Sequence, residues 1–93
     1  MDRTINAIQI HEKDNVVTVT RRITRGSMLE YGIEGNVRRI KVLDDIPQFH
    51  KVAVADIKKD EHVYKYGQLI GRAVTNIMSG GYVHDHNIVS PAN

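Results

Sequence analysis

The stretch Ile77-Met78-Ser79-Gly80-Gly81-Tyr82-Val83 contains the pattern that decides the fold of this chain. An isoleucine is followed three residues later by a turn-prone residue, and three residues after that by valine or leucine. The isoleucine would anchor one segment in the core, and glycine lets the chain reverse because it adopts positive φ without steric cost. The valine then begins the next buried strand. The spacing recurs at Ile23-Gly26-Leu29 and Ile57-Asp60-Val63 and, in a degenerate copy, at Ile46-Phe49-Val52.

The segments around these turns alternate apolar and polar residues with a period of two. Such alternation over a few residues is typical of half-buried strands. Turn-forming clusters separate the segments, and the repeat copies are too short and too unevenly spaced for a solenoid. The sequence therefore predicts an all-β domain, a small barrel or clip of short strands with tight turns and at most one short helical turn. The alternating pairs are Ile8 and Ile10, Val17 and Val19, Ile40 and Val42, and Val52 and Val54.

Length and composition restrict the classes of function. The 93 residues suffice for a single domain, 1–93, whose small core argues against a self-sufficient enzyme. Cysteine is absent, which excludes disulfides, thiolate metal sites and cysteine nucleophiles. A net charge of +2 argues against a nucleic-acid partner, although two arginine clusters offer a weak alternative. No apolar run reaches the ~20 residues that span a bilayer and no signal-peptide pattern is present, so we expect a cytoplasmic protein without a membrane partner.

Five histidines in a cysteine-free chain are the candidate metal ligands and proton-transfer groups. His84 and His86 give the sharpest signal, since residues two apart on an extended strand point to the same face and two imidazoles can then bind one zinc or iron ion. Asp85 would point the other way, so His11, His50 or a partner chain would have to complete the shell. The alternative is that His84 and His86 are exposed polar residues, because the His-x-His spacing often occurs by chance.

Two polar segments offer further binding groups. Lys65 could hold a carboxylate as a point charge, and the Tyr66 hydroxyl could donate to a substrate oxygen. The favoured alternative for Tyr66 places its ring in the core. His11 lies beside the turn residues Asp14 and Asn15, where it could face a substrate carboxylate or remain a surface histidine.

Five segments carry a resemblance that extends over residues 5–88. They are Ile10–Val16 (IHEKDNV), Asp45–Ala53 (DIPQFHKVA), Asp56–Val63 (DIKKDEHV), Tyr64–Ala73 (YKYGQLIGRA) and Tyr82–Ile88 (YVHDHNI). Together, and in this order, they resemble the SAF domain of the altronate/galactarate dehydratase family, which includes the small subunits of sulfolactate sulfo-lyases.

The resemblance implies an all-β SAF, or β-clip, fold in a small subunit or N-terminal module that works with a larger catalytic chain or domain. It implies β-elimination of water from a sugar acid, or of sulfite in the sulfo-lyase branch, with a divalent metal, iron being the one expected. The isolated chain is then expected to be inactive and could form a homo-oligomer. A non-catalytic carbohydrate-acid-binding or assembly module is the alternative. The site residues expected are His11 and His50 as catalytic groups, Lys65, Tyr66 and Asn87 as substrate-binding groups, and His84 and His86 as metal ligands.

Two positions depart from the family pattern. Phe49 and Asp60 stand where the family usually has glycine. If position 49 needs a left-handed backbone, phenylalanine strains it by roughly 1–2 kcal/mol. Otherwise the turn has shifted and has moved His50 with it.

Overall fold

The computed structural model describes residues 7–9 and 11–90. In that part of the chain the backbone forms nine short strands and no helix, so the predicted all-β architecture is confirmed and the single helical turn that the sequence allowed is not found there. No helix among these residues could therefore cross a membrane. Ile10, one member of an alternating pair, lies outside the described residues. The strands are β1 (Ala7–Ile8), β2 (Val16–Thr18), β3 (Met28–Ile33), β4 (Asn36–Lys41), β5 (Lys51–Ala53), β6 (His62–Lys65), β7 (Gln68–Ala73), β8 (Tyr82–Val83) and β9 (Ile88–Val89).

The described strands pair into three sheets of three strands each. In the first, β1 lies parallel to β3, and β3 pairs antiparallel with β4. The second has the order β2-β5-β8 and the third β6-β7-β9, and both are antiparallel throughout. The β6–β7 hairpin turns on Tyr66 and Gly67, whose φ values of 55° and 75° are those of the type I′ turn that matches strand twist.

The spacing found in the sequence is a structural repeat of four turns. The residue three positions after each isoleucine has positive φ, as the third residue of a type II turn does. These φ values are 87° at Gly26, 66° at Phe49, 74° at Asp60 and 91° at Gly80. In each copy, the amide of the residue that follows donates a hydrogen bond of 2.8–3.1 Å to the carbonyl three residues earlier. The four donors are Ser27, His50, Glu61 and Gly81. Phenylalanine and aspartate thus occupy left-handed positions that favour glycine, and the turn before His50 has not shifted.

Both ends of each repeat are buried, as the turn pattern predicts. The four isoleucines are at most 5% exposed, and the leucine and three valines that close the copies are fully buried. Ile23 pairs with Ile46, and Ile57 with Ile77, through antiparallel bridges. Next to the second bridge, Asn76 Oδ1 accepts a hydrogen bond from the Lys59 amide at 2.8 Å. The turn interpretation is therefore confirmed, including its degenerate copy.

The second sheet, β2-β5-β8, has apolar packing on both faces. Val17 and Val52 belong to one buried cluster, against which Tyr82 packs, whereas Val16 and Val83 belong to the other. Because side chains alternate along a strand, consecutive residues of β5 serve different clusters. This alternation decides on which side of the sheet each polar side chain near β5 lies.

One expectation about burial is wrong. Ile8 is 59% exposed, while its neighbours Ala7 and Gln9 are buried. Gln9 can be buried because its amide donates to the carbonyls of His11 and Asp14 at 3.0 and 3.1 Å. A polar side chain with its hydrogen bonds satisfied has taken the inward position in place of the isoleucine.

Candidate functional site

His50 and Tyr82 form the centre of the candidate site. His50 ends the second repeat turn, just before β5, and Tyr82 begins β8 after the fourth turn. Val52 is paired with Tyr82, so His50, two residues before Val52, lies on the same face of the sheet as the tyrosine. His50 Nδ1 and Tyr82 Oη are 2.5 Å apart. In neutral His50 with its proton on Nε2, the phenol donates to Nδ1, whereas in the other tautomer Nδ1 donates to the phenol oxygen.

The other two histidines of the site flank the same tyrosine. The His84 ring lies 4.8 Å from that of His50 and is stacked on Tyr82, with a centroid separation of 5.6 Å and an interplanar angle of 8°. His86 approaches the Tyr82 ring at 5.5 Å. We call His50, Tyr82, His84 and His86 the histidine cluster. His50, Tyr82 and His84 are half-buried and His86 is exposed, so the cluster opens at the surface.

The predicted strand geometry of His84 and His86 is wrong. Strand β8 ends at Val83, and residues 84–87 form a turn in which the Asn87 amide donates to the His84 carbonyl at 3.0 Å. The two imidazoles therefore do not stand side by side on one strand face. They are brought together by their shared contact with Tyr82 instead.

Asn87 holds this turn in place. Its side-chain oxygen accepts from the His84 amide at 2.9 Å, and its side-chain nitrogen donates to the Tyr82 carbonyl at 2.8 Å. The residue is only 6% exposed. Asn87 was expected to bind substrate, but in the structure both of its polar atoms bind the backbone of the histidine cluster, so it positions the cluster.

His11 lies apart from the histidine cluster. Its Nδ1 accepts from the Lys13 amide at 3.1 Å, and a Cβ placed on Gly67 would lie 3.1 Å from its Cδ2 atom. Asp14 joins the two segments, since its carboxylate accepts from the amides of His11 and Gly67 at 3.1 and 2.7 Å. Within residues 7–9 and 11–90, no ring contact joins His11 to the cluster. The two expected catalytic histidines are thus placed separately.

Tyr66 is not a core residue. It occupies the first position of the β6–β7 hairpin loop and is 52% exposed. The Lys65 ammonium lies 5.2 Å from the centre of its ring. The core interpretation of Tyr66 fails because a two-residue hairpin loop turns its side chain away from both buried clusters.

Two residues of this region were missed by the sequence analysis. Tyr82 was not singled out, although it lies two residues before His84. Lys51 follows His50 and lies half-buried on the opposite face of β5. Burial lowers the pKa of Lys51 below its usual 10.5, the Lys65 ammonium lowers it further, and Asp85 raises it.

The described residues alone do not complete a metal site. Among them, no group of three or more histidine, aspartate or glutamate side chains is arranged to hold a metal ion. His84 and His86 supply at most two nitrogen ligands. A tetrahedral ion would need further ligands from outside this part of the chain.

Fold and cluster together define a small all-β module that presents histidine and tyrosine side chains at a surface. The sequence model of the altronate/galactarate dehydratase SAF domain matches residues 5–91. The chain therefore belongs to the altronate/galactarate dehydratase SAF-domain family.

Three relatives show two ways in which the module is used. The chain is 41% identical to altronate dehydratase of Bacillus subtilis over 86% of its own length, and 31% identical to galactarate dehydratase of Escherichia coli over 90%. It spans only 15% of the length of either dehydratase. It is 37% identical to the α subunit of (2R)-sulfolactate sulfo-lyase from Chromohalobacter salexigens, over 85% of this chain and 88% of that subunit. The same module is thus a minor part of long chains and nearly the whole of a short subunit.

Proposed function

We propose that this chain is the small component of a lyase that eliminates water from a hydroxy acid, acting together with a larger catalytic chain or domain. The observation that carries the proposal is the surface-opening histidine cluster in a module that spans 15% of a dehydratase. Proton-transfer groups at a surface can complete a site whose other half belongs to a partner. In this assignment the isolated chain has no activity, and its cytoplasmic location stays a prediction.

His50 is the proton-transfer group of the proposal. In a β-elimination, a base takes the proton next to the carboxylate, the C–H electron pair forms the double bond, and the hydroxyl on the next carbon leaves with a proton as water. Tyr82 Oη engages His50 Nδ1, which leaves Nε2 to exchange a proton with the substrate. Tyr82 acts through His50 and is therefore a positioning residue.

A metal ion would require the partner to contribute ligands. His84 and His86 are suitable imidazole donors, and a bound divalent ion would supply electrophilic stabilisation of the developing negative charge. The donor set of the described residues is nevertheless short of three groups. We therefore propose the two histidines as contributors to a shared site and assign the proton transfer to His50 alone.

The test compares elimination by this chain alone, by the larger chain alone and by the two together. We expect activity only in the mixture, and a loss of 100-fold to 10,000-fold with His50→Ala, the range for removing a general acid or base. His62→Ala is the matched control, because His62 is exposed and contacts Tyr64 rather than the histidine cluster. Full activity of the larger chain alone would reject the catalytic role and favour an assembly module.

Tyr82→Phe separates positioning from packing. It keeps the ring that His84 and His86 contact and removes only the hydroxyl bonded to His50. We expect about a tenfold loss of kcat with little change in KM, because the hydroxyl fixes the orientation of the His50 ring through Nδ1. A change in KM alone would remove Tyr82 from the proton-transfer arrangement.

The match to a whole sulfo-lyase subunit favours a second candidate function. In this second candidate function, the same elimination releases sulfite instead of water. It is favoured because the chain covers 88% of that α subunit. Assaying the assembled enzyme with altronate, galactarate and (2R)-sulfolactate distinguishes the two. Release of sulfite without dehydration of the sugar acids would establish the second candidate.

A further inference from the structure

We propose that Phe49 is the anchor residue through which the larger catalytic chain docks over the histidine cluster, with the phenyl ring inserted into an apolar pocket of that chain. The inference rests on the proposed function, because the occupant of this surface is the chain that completes the site. Phe49 is the only phenylalanine of the sequence. Among the large apolar side chains of the described residues it is the most exposed, at 68%.

The backbone at position 49 disfavours a phenylalanine. Phe49 has the positive φ of the second repeat turn, 66°, a conformation that strains any residue with a Cβ and favours glycine. The first and fourth turns have glycine at this position, Gly26 and Gly80. Phenylalanine thus combines a strained backbone with an apolar ring in water, and both are unfavourable. Since the ring stays in water, packing of this side chain within the chain does not offset the strain.

The third turn shows how a side chain at this position can be used within the chain. Asp60 has a φ of 74°, and its carboxylate accepts a hydrogen bond from the Arg72 guanidinium at 2.9 Å. Aspartate also tolerates the left-handed conformation better than a bulky residue does. For Phe49, by contrast, no aromatic ring of residues 7–9 and 11–90 contacts the phenyl group. A contact with another chain would give the Phe49 ring the use that it lacks in this one.

The turn presents Phe49 rigidly. Its amide donates to the Val19 carbonyl at 2.9 Å, and the carbonyl of the next residue, His50, accepts from the Val19 amide at 3.0 Å. Val19 is fully buried, so the backbone on both sides of the ring is fixed to the core. An aromatic side chain rotates about only two bonds, and it therefore loses little conformational entropy when a partner buries it.

The location of Phe49 identifies the occupant as the larger chain. A stable interface covers about 800 Å² on each partner, which is a patch about 16 Å in radius. The Cα atoms of Phe49 and His50 are only about 3.8 Å apart, so a patch centred on His50 includes Phe49. A chain that covers the half-buried His50 to complete the site therefore also covers the phenyl ring. Buried aromatic anchors supply much of the binding energy of such interfaces and keep water out of them.

The single phenylalanine makes a direct test possible. A chain labelled with 4-fluorophenylalanine gives one ¹⁹F signal, that of Phe49. The larger chain, expressed separately, is titrated in with a soluble gadolinium chelate present, which broadens the signals of rings open to solvent. We expect a broadened signal from the free chain, and a shifted and protected signal from the complex. A complex with an unshifted, unprotected ring would overturn the proposal, and so would a ring protected in the isolated chain at high concentration, which would assign it to a second copy of this chain.

Variants separate the ring from the backbone. Phe49→Ala and Phe49→Gly both remove the ring, and each should raise the Kd for the larger chain at least about 30-fold, the loss expected for a hot-spot residue. Phe49→Gly should have the higher melting temperature of the two, because only glycine relieves the left-handed strain. Equal weakening by two variants of different stability excludes unfolding as its cause. Asp60→Gly places glycine at the same position of the third turn and should leave the Kd unchanged. A wild-type Kd for Phe49→Ala would refute the anchor.

The outcomes separate this inference from the proposed function. Binding is measured by calorimetry, whereas the proposed function is tested by elimination in the mixture. Failure of the wild-type chain to bind the larger chain would reject the proposed function, and the anchor with it. Active mixtures in which Phe49→Ala binds as the wild type does would reject the anchor alone. Weakened binding by Phe49→Ala, with no elimination even in the wild-type mixture, would retain the anchor and reject the lyase assignment.

Discussion

Asn87→Ala tests whether one buried amide positions the histidine cluster. The change removes the acceptor of the His84 amide and the donor to the Tyr82 carbonyl, at 2.9 and 2.8 Å. Each hydrogen bond is worth about 1–1.5 kcal/mol, and the groups left behind lose their partners in a half-buried environment. We therefore expect the free energy of unfolding to fall by about 2–3 kcal/mol.

The expected change in melting temperature follows from chain length. At about 2.1 cal/mol/K per residue, the 93 residues have an unfolding entropy of about 0.2 kcal/mol/K. A loss of 2–3 kcal/mol then lowers the Tm by about 10–15 °C. Asn87→Asp should lose nearly as much, because it keeps the acceptor for the His84 amide but places a carboxylate against the Tyr82 carbonyl.

Thermal and urea unfolding, followed by circular dichroism, provide the measurement. Asn76→Ala is the control, since Asn76 is exposed and its side chain accepts one hydrogen bond, from Lys59. Its cost should stay below about 1 kcal/mol. Equal losses for the alanine variants at positions 87 and 76, or a wild-type Tm for Asn87→Asp, would refute the assignment of Asn87 as the residue that holds the turn.

Three further predictions concern backbone strain and charge. Phe49→Gly and Gln48→Gly both place glycine in the second repeat turn, but only Phe49→Gly replaces a residue with a left-handed backbone, of φ 66°. The free energy of unfolding in urea should therefore be about 1–2 kcal/mol higher for Phe49→Gly than for Gln48→Gly; equal values would contradict the strain. Gly80→Ala should lower the free energy of unfolding by at least about 2 kcal/mol more than Gly35→Ala does. Both glycines have positive φ, but of the two only Gly80 would place a Cβ in overlap with a neighbouring carbonyl oxygen; similar melting temperatures for the two variants would show that the turn backbone moves to accommodate the Cβ. The pKa of Lys51 is lowered in the folded chain, so its charged form opposes folding, and stability should rise with pH between that pKa and 10.5. This rise in stability, measured by urea unfolding at several pH values, should be smaller in Lys51→Met than in the wild type. An equal rise in the variant would show that Lys51 is not its source.

The repeat could be predicted from the sequence because its physics is local. A turn needs positive φ at a fixed distance from its two buried anchors, and those residues all lie within seven positions. Even the non-glycine copies obey the pattern, with φ of 66° at Phe49 and 74° at Asp60. Burial of Ile46 and Val52 supplies the packing that retains the strained turn between them.

The candidate site was less predictable because it depends on pairing between distant strands. The period-two rule misplaced His84 and His86, since Asn87 ends the strand by binding the backbone of residues 82 and 84. The contact of His50 with Tyr82 spans 32 residues and follows from the register of β5 with β8. No local pattern specifies that register.

The repeat turns also explain how the backbones of His50 and Tyr82 are positioned. His50 is the residue that closes the second turn, and its amide is fixed to the Pro47 carbonyl at 3.1 Å. Tyr82 follows the fourth turn directly, and its amide donates to Asp44 at 3.0 Å. The two side chains therefore meet where two turns enter neighbouring strands. Because turn geometry and strand register fix both backbones, a change that loosens either turn should disturb the 2.5 Å contact between His50 and Tyr82 before it unfolds the chain.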